Sequence, residues 1–134
     1  MPRDRVGPRR RRLGDFGERV AASHLEAKGY AILERNWATK EGEIDLIASR
    51  GRDLVFVEVR SKRGGNFGKP EESITGRKAT HVRAAVSAYM QEHPEAPENI
   101  RIDAVVIELD AKGRVLRVEQ IENAIEDEDQ TIPS

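Results

Sequence analysis

The chain has 134 residues, of which 35% are Asp, Glu, Lys or Arg, with a formal net charge of −1 and no cysteine. That length suits one domain with a single core, and the lack of cysteine excludes disulfides and thiolate-held zinc, so a bound metal would meet oxygen ligands and be Mg²⁺ or Mn²⁺. No apolar run approaches the roughly 18 residues of a membrane span, and the Arg-rich start is not followed by a signal-peptide apolar region, so a cytoplasmic protein without a membrane partner is expected.

The near-neutral total hides a polarity along the chain. Residues 1–12 carry a balance of +5 through Arg3, Arg5, Arg9, Arg10, Arg11 and Arg12 against Asp4, and residues 119–134 a balance of −6. The first stretch reads as a disordered basic arm suited to phosphate contacts. It reads equally as a solubilising terminus, or as a segment that pairs with the acidic tail of a neighbouring chain. A domain over residues 13–125 and an acidic disordered tail over 126–134 complete the expected organisation.

In chain order, Asp15 to Lys28 predicts a helix closed by Gly29, with Phe16, Val20, Ala21, Leu25 and Ala27 on its apolar side. Glu18 falls on or beside that stripe, near the helix start, where the dipole favours a carboxylate. As a helix-start acid it needs no function; aimed at a sheet it could join other acids. Tyr30–Leu33 predicts a short strand and Asn36-Trp37 the start of a connection.

Next come two strand-like runs, Gly42–Ala48 and Leu54–Arg60, flanking the turn-forming Ser49–Asp53. With Gly51-Arg52 as a two-residue loop, Ile44 opposes Val59, Leu46 opposes Val57 and Ala48 opposes Val55, giving one apolar face. The other face then holds the pairs Glu43/Arg60, Asp45/Glu58 and Ile47/Phe56. Like charges directly opposed, with Cβ atoms roughly 4.5–5.5 Å apart, destabilise a sheet, so a cation, a shared proton or an arginine is expected between Asp45 and Glu58. The same alternation also describes an ordinary half-exposed strand, with Glu43/Arg60 a surface ion pair worth about 0–1 kcal/mol.

Ser61 to Gly76, with Gly64, Gly65, Gly68 and Pro70, predicts a loop beside this hairpin. Arg77 to Gln91 predicts a second helix, with Val82, Ala85, Val86, Tyr89 and Met90 facing the core. Its first turns hold Arg77, Lys78, His81 and Arg83, cations that oppose the dipole and that a bound polyanion would offset, or that form a solvated basic face. Ile100–Leu109 predicts a strand, Asp110–Gly113 a turn and Val115–Val118 a returning strand, with fraying after about Ala124. Asp103 reads more readily as a strand-surface acid than as a fourth ligand, and none of His24, His81 and His93 reads as a metal ligand.

The order helix, three strands, helix, two strands, with an acid in the first helix, an acid in the second strand and acid-x-base in the third, resembles the PD-(D/E)XK nuclease superfamily. Gly14-x-x-Gly17-Glu18-x-x-Ala21-Ala22, Gly29-Tyr30-x-Ile32-Leu33-x-x-Asn36-Trp37, Gly42–Ala48, Phe56–Arg60 and Ile121–Ala124 together resemble the YraN-like family of small uncharacterised bacterial proteins. The resemblance implies an α/β fold with a restriction-endonuclease-like, Holliday-junction-resolvase-like core, a mixed β-sheet flanked by helices. It further implies Asp45 and Glu58 as metal carboxylates, Glu18 as an additional ligand or nearby acid, and Arg60 as a catalytic cation. Arg60 stands where the superfamily motif has lysine; arginine stays protonated and cannot act as a general base, although it can stabilise charge on a phosphate. Lys62, two residues further on the same face, is a substitute ammonium.

The expected function is nucleic-acid binding with Mg- or Mn-dependent phosphodiester hydrolysis, DNA before RNA, in a possible homodimer. Arg9, Arg10, Arg11, Arg12, Lys62, Arg63, Arg77 and Lys78 are the candidate phosphate-binding residues. The alternatives are a non-catalytic binding module with a degenerate nuclease site, and an interaction protein whose acids pair internally.

Overall fold

A computed structural model describes residues 8–63, 74–97 and 99–125, and of residues 8–14 the backbone alone. The first seven residues of the basic segment, the glycine-containing loop from Gly64 to Ser73 and the acidic tail over 126–134 lie outside the described residues. Along the chain come α1 (Pro8–Ala27), β1 (Ala31–Ala38), β2 (Glu43–Arg50), β3 (Asp53–Arg63), α2 (Gly76–Glu92), β4 (Asn99–Leu109) and β5 (Val115–Ile121). The strands form one sheet in the order β1-β2-β3-β4-β5, with β3 and β4 parallel and the other neighbours antiparallel.

The sheet is covered on both sides, and this explains its buried runs. Ala21, Ala22 and Leu25 of α1 pack on Leu46, Ala48, Val55, Val57, Val105 and Ile107. Val82, Ala85, Val86 and Tyr89 of α2 pack on the opposite side, over Ile47, Leu54, Phe56 and Ala104. A parallel pair needs a crossover, and α2 supplies it between β3 and β4. Because helices cover both faces, Leu54 to Glu58 and Asp103 to Ile107 are buried without alternation. The hairpin is therefore not a half-exposed ribbon.

Helix α1 begins at Pro8 rather than at Asp15 and takes the backbone of Arg9 to Arg12 into its opening turns. Proline suits such a start, where its missing N–H would have no helical partner. At the other end, Tyr30 N–H donates to Leu25 O at 3.0 Å and Gly29 N–H to Glu26 O at 3.0 Å, with Gly29 at φ +95°. These are the paired bonds of a Schellman cap, which requires a left-handed residue after the helix.

Three strands run beyond their sequence limits. β1 includes Asn36 and Trp37, expected in a connection, because β2 pairs with it as far as Ala38↔Glu43. Asn36 enters this edge strand at φ +53°, a conformation asparagine tolerates better than most residues. β3 continues through Ser61, Lys62 and Arg63, expected in a loop, because β4 stays paired to Arg63↔Leu109. β5 reaches Ile121 rather than Val118 by pairing Ile121 with Ala104.

The turn of the hairpin has the expected length. Arg50 pairs with Asp53, leaving Gly51 and Arg52 as the loop, with Gly51 at φ +60°. Ala48↔Val55, Ile47↔Phe56 and Leu46↔Val57 follow in the expected register. Ile44 departs from it in direction, since it clusters with Ile47, Phe56 and Trp37 on the α2 side.

Candidate functional site

The β2–β3 ladder runs to Leu46↔Val57, and the next positions along are Asp45 and Glu58. There the backbone pairing gives way to a side chain: Val59 N–H donates to Asp45 Oδ2 at 2.8 Å. Asp45 is thus anchored by its own neighbouring strand. Burial pushes its carboxyl up to about 8, the charge of Glu58 adds to the rise, and the Val59 N–H opposes it; Glu18 pushes it further up while Lys78 pulls it down. The charge of Glu58 thus acts on Asp45 from the neighbouring strand.

Glu58 is 7% exposed, and its Oε2 lies 2.8 Å from Lys78 Nζ, which arrives from the first turn of α2. Burial acts against the Lys78 ammonium, but its hydrogen bond and attraction to Glu58, with the charge of Asp45, outweigh this and raise its pKa. Lys78 was expected to grip phosphate at the helix start. The structure pairs this exposed side chain with the Glu58 carboxylate, which offsets the unfavourable helix-dipole position. The sequence signal was that unfavourable position itself, which demands a counter-charge without saying whose.

Glu18 comes from α1 and accepts a hydrogen bond at 3.0 Å from Asn36 Nδ2. Burial raises its pKa, Asn36 lowers it, and the charges of Asp15 and Glu43 add to the rise. Asn36 lies between Arg35, paired with Leu46, and Trp37, paired with Ile44, hence across from Asp45 in the neighbouring strand. Glu18 is thereby brought to the same end of the sheet, with its charge felt at Asp45, but it is held by an amide. Among the described residues, no three of His, Cys, Asp and Glu form a group close enough to hold a metal ion. The structure brings together Asp45 and Glu58, with Lys78 on them and Glu18 to one side.

Arg60 follows Glu58 on β3, half-buried, and its positive charge acts on Lys78. Lys62 and Arg63 end β3, opposite Glu108 and Leu109 of β4. Arg77 is exposed next to Lys78. The side chains of Arg9, Arg10, Arg11 and Arg12 lie outside the described residues.

Asp103 is not a surface acid. It is fully buried (0% exposed), with Arg101 Nε donating to Oδ1 at 2.9 Å and Nη2 to Oδ2 at 2.9 Å. Gln120 Nε2 donates to Oδ2 at 2.8 Å and Asn123 N–H to Oδ1 at 3.1 Å. Arg101 Nη2 also donates to Tyr30 Oη at 2.7 Å. With its lone pairs so taken, Asp103 serves to join β4 and β5, while Arg101 reaches on to Tyr30, and it is not available as a ligand.

A mixed five-stranded sheet with a helix on each face makes this an α/β domain, and an acid on the second strand, Glu-x-Arg on the third and an acid on the first helix keep the element order of the PD-(D/E)XK class that its sequence resembles. The model of the family described as "Uncharacterised protein family UPF0102" matches residues 17–107. UPF0102 proteins of Frankia alni and of Pelotomaculum thermopropionicum are 46% and 44% identical to this chain, covering 84% and 86% of it and 92% and 96% of their own lengths. That of Moorella thermoacetica is 43% identical over 115 residues, 86% of this chain and 96% of its own. The chain belongs to the UPF0102 family, the YraN-like family its motifs resemble. The solved structure of Pyrococcus furiosus SfsA in complex with Ca²⁺ is similar with a TM-score of 0.38 at 17% identity, over 87% of this chain and 65% of that one, just under two thirds of its length. No helix among the described residues is long and apolar enough to cross a membrane.

Proposed function

We propose that this chain binds nucleic acid and hydrolyses phosphodiesters with a divalent cation held by Asp45 and Glu58. The observation that carries the reading is the pair itself: two carboxylates from neighbouring strands, with Asp45 pushed up to about 8 by burial and by Glu58. Repulsion of this kind is what a doubly charged ion would relieve. The donor set is all oxygen, which suits Mg²⁺ or Mn²⁺, and Mg²⁺ commonly takes one or two carboxylates and completes its shell with water and phosphate oxygens. Glu18, whose charge is felt at Asp45, is the proposed partner of a coordinated water rather than a direct ligand. When bound, the cation would lower the pKa of a coordinated water and neutralise a phosphate oxygen.

The chain's own residues supply the rest. The Val59 N–H holds Asp45 in one orientation. Arg60, always charged, is suited to stabilising the additional negative charge on the phosphate and unsuited to taking a proton. Arg77, Lys62 and Arg63, with Arg9 to Arg12, are the proposed partners of flanking phosphates. DNA ahead of RNA, and a symmetric dimer, belong to the proposal by analogy of fold.

The second reading is a binding module without catalysis, favoured by the arginine at position 60 where the superfamily motif has lysine. A cleavage screen over branched, flapped, single-stranded and duplex substrates with Mn²⁺ separates the two. Cleavage that chelator abolishes and that Asp45→Asn reduces at least about 10²-fold is expected. Binding of the same substrates with chelator present, and no cleavage by wild type with either metal, would favour the module instead.

A further inference from the structure

Lys78 sits where its own helix disfavours it. The start of α2 carries the positive end of the dipole, Arg77 is its neighbour, and Arg60 repels it from β3. It is nonetheless drawn to 2.8 Å from Glu58 Oε2 and is attracted to Asp45 as well. The carboxylate pair thus already has a cation, supplied by the chain from the element that crosses between the parallel strands. The same ammonium has room to leave: the Lys78 side chain is 55% exposed, on a flexible four-carbon stem, whereas the Glu58 side chain is 9% exposed.

We propose that Lys78 is the resident counter-ion of the Asp45/Glu58 pair, which leaves Glu58 when a divalent cation binds there and then stands as the ammonium facing the substrate phosphate. Arg60 occupies the motif position on the strand, but the ion pair with the carboxylate is made by Lys78 from α2. A mobile ammonium from the helix would complement a fixed guanidinium from the strand. This inference rests on the proposed metal site and assigns Lys78 two successive partners within it.

Mn²⁺ titration of the full chain, followed by calorimetry or by the Mn²⁺ spin signal, tests it with wild type, Lys78→Met, Lys78→Arg and Asp45→Asn. Removing a positive charge a few ångströms from the bound ion should tighten Mn²⁺ binding about tenfold in Lys78→Met, with Lys78→Arg near wild type. In a cleavage assay the tighter-binding Lys78→Met should lose at least about 10²-fold in turnover. Unchanged or weaker Mn²⁺ binding in Lys78→Met, or turnover that rises with it, would overturn the assignment while leaving the metal site standing if Asp45→Asn still abolishes binding. If wild type binds no Mn²⁺, or Asp45→Asn binds as wild type does, the metal site itself is wrong and the Lys78 role falls with it. Lys78→Gln provides a second neutral variant should Lys78→Met fold poorly.

Discussion

The ionised form of Asp45 works against folding. Its folded-state pKa is pushed up to about 8 from an ordinary 3.8, so the native protein holds this proton more tightly than the unfolded chain does. The stability it contributes is complete below about pH 4 and is lost as pH rises toward 8. In chelator, thermal unfolding should therefore show stability falling over that window. Asp45→Asn keeps an acceptor for the Val59 N–H and removes the charge, so it should flatten this decline and raise stability at pH 8 by on the order of 2 kcal/mol, a shift of several degrees. An Asp45→Asn protein with the same pH slope as wild type would show that Asp45 ionises freely. The hairpin register from Arg50↔Asp53 to Leu46↔Val57, which leaves Asp45 and Glu58 as the next positions along, was legible in the sequence because strand alternation and a two-residue turn determine it. The partner of Glu58 was not: Lys78 is twenty residues away across a crossover, and nothing local to either residue specifies that meeting. Asp103 misled for a similar reason. Its alternation with Arg101 looked like a surface strand, whereas helices cover both sides of this sheet and the half-buried arginine two residues before it is its ion-pair partner.

The elements were legible in kind and order, and their ends were less so. Helix α1 and the hairpin follow from local signals, a Schellman glycine at one end and Gly51 in the turn. The strands ran longer than their apolar runs because pairing with a neighbour, a non-local event, carries Asn36-Trp37 into β1 and Ser61–Arg63 into β3. Gly29 is the clearest case of a local requirement, since φ +95° is strained for any other residue. Gly29→Ala should cost about 1 kcal/mol, read as a drop of a few degrees in Tm, without changing metal affinity. An unchanged Tm would mean that the cap tolerates a Cβ. A loss of metal affinity along with it would show that the end of α1 is coupled to the carboxylates through Glu18.

The whole molecule gathers its chemistry at one end of the sheet. Acids come from α1, β2 and β3 and a lysine from α2, so the site exists only once the crossover is made. The proposed nucleic-acid binding should weaken steeply with salt. Every phosphate that the protein neutralises adds about 0.9 to the steepness of the log–log salt dependence on duplex DNA. Replacing Arg9, Arg10, Arg11 and Arg12 together with Gln should accordingly flatten that slope by more than about one unit, and an unchanged slope would exclude these arginines from the interface. The central claim is that folding makes Asp45 and Glu58 into one divalent-cation site, and direct Mn²⁺ titration of wild type beside Asp45→Asn and Glu58→Gln at about pH 7.5 tests it most directly. The account predicts one class of Mn²⁺ site in wild type, weakened by at least about tenfold in each variant; Mn²⁺ binding of equal strength in all three proteins, or none in wild type, would contradict it.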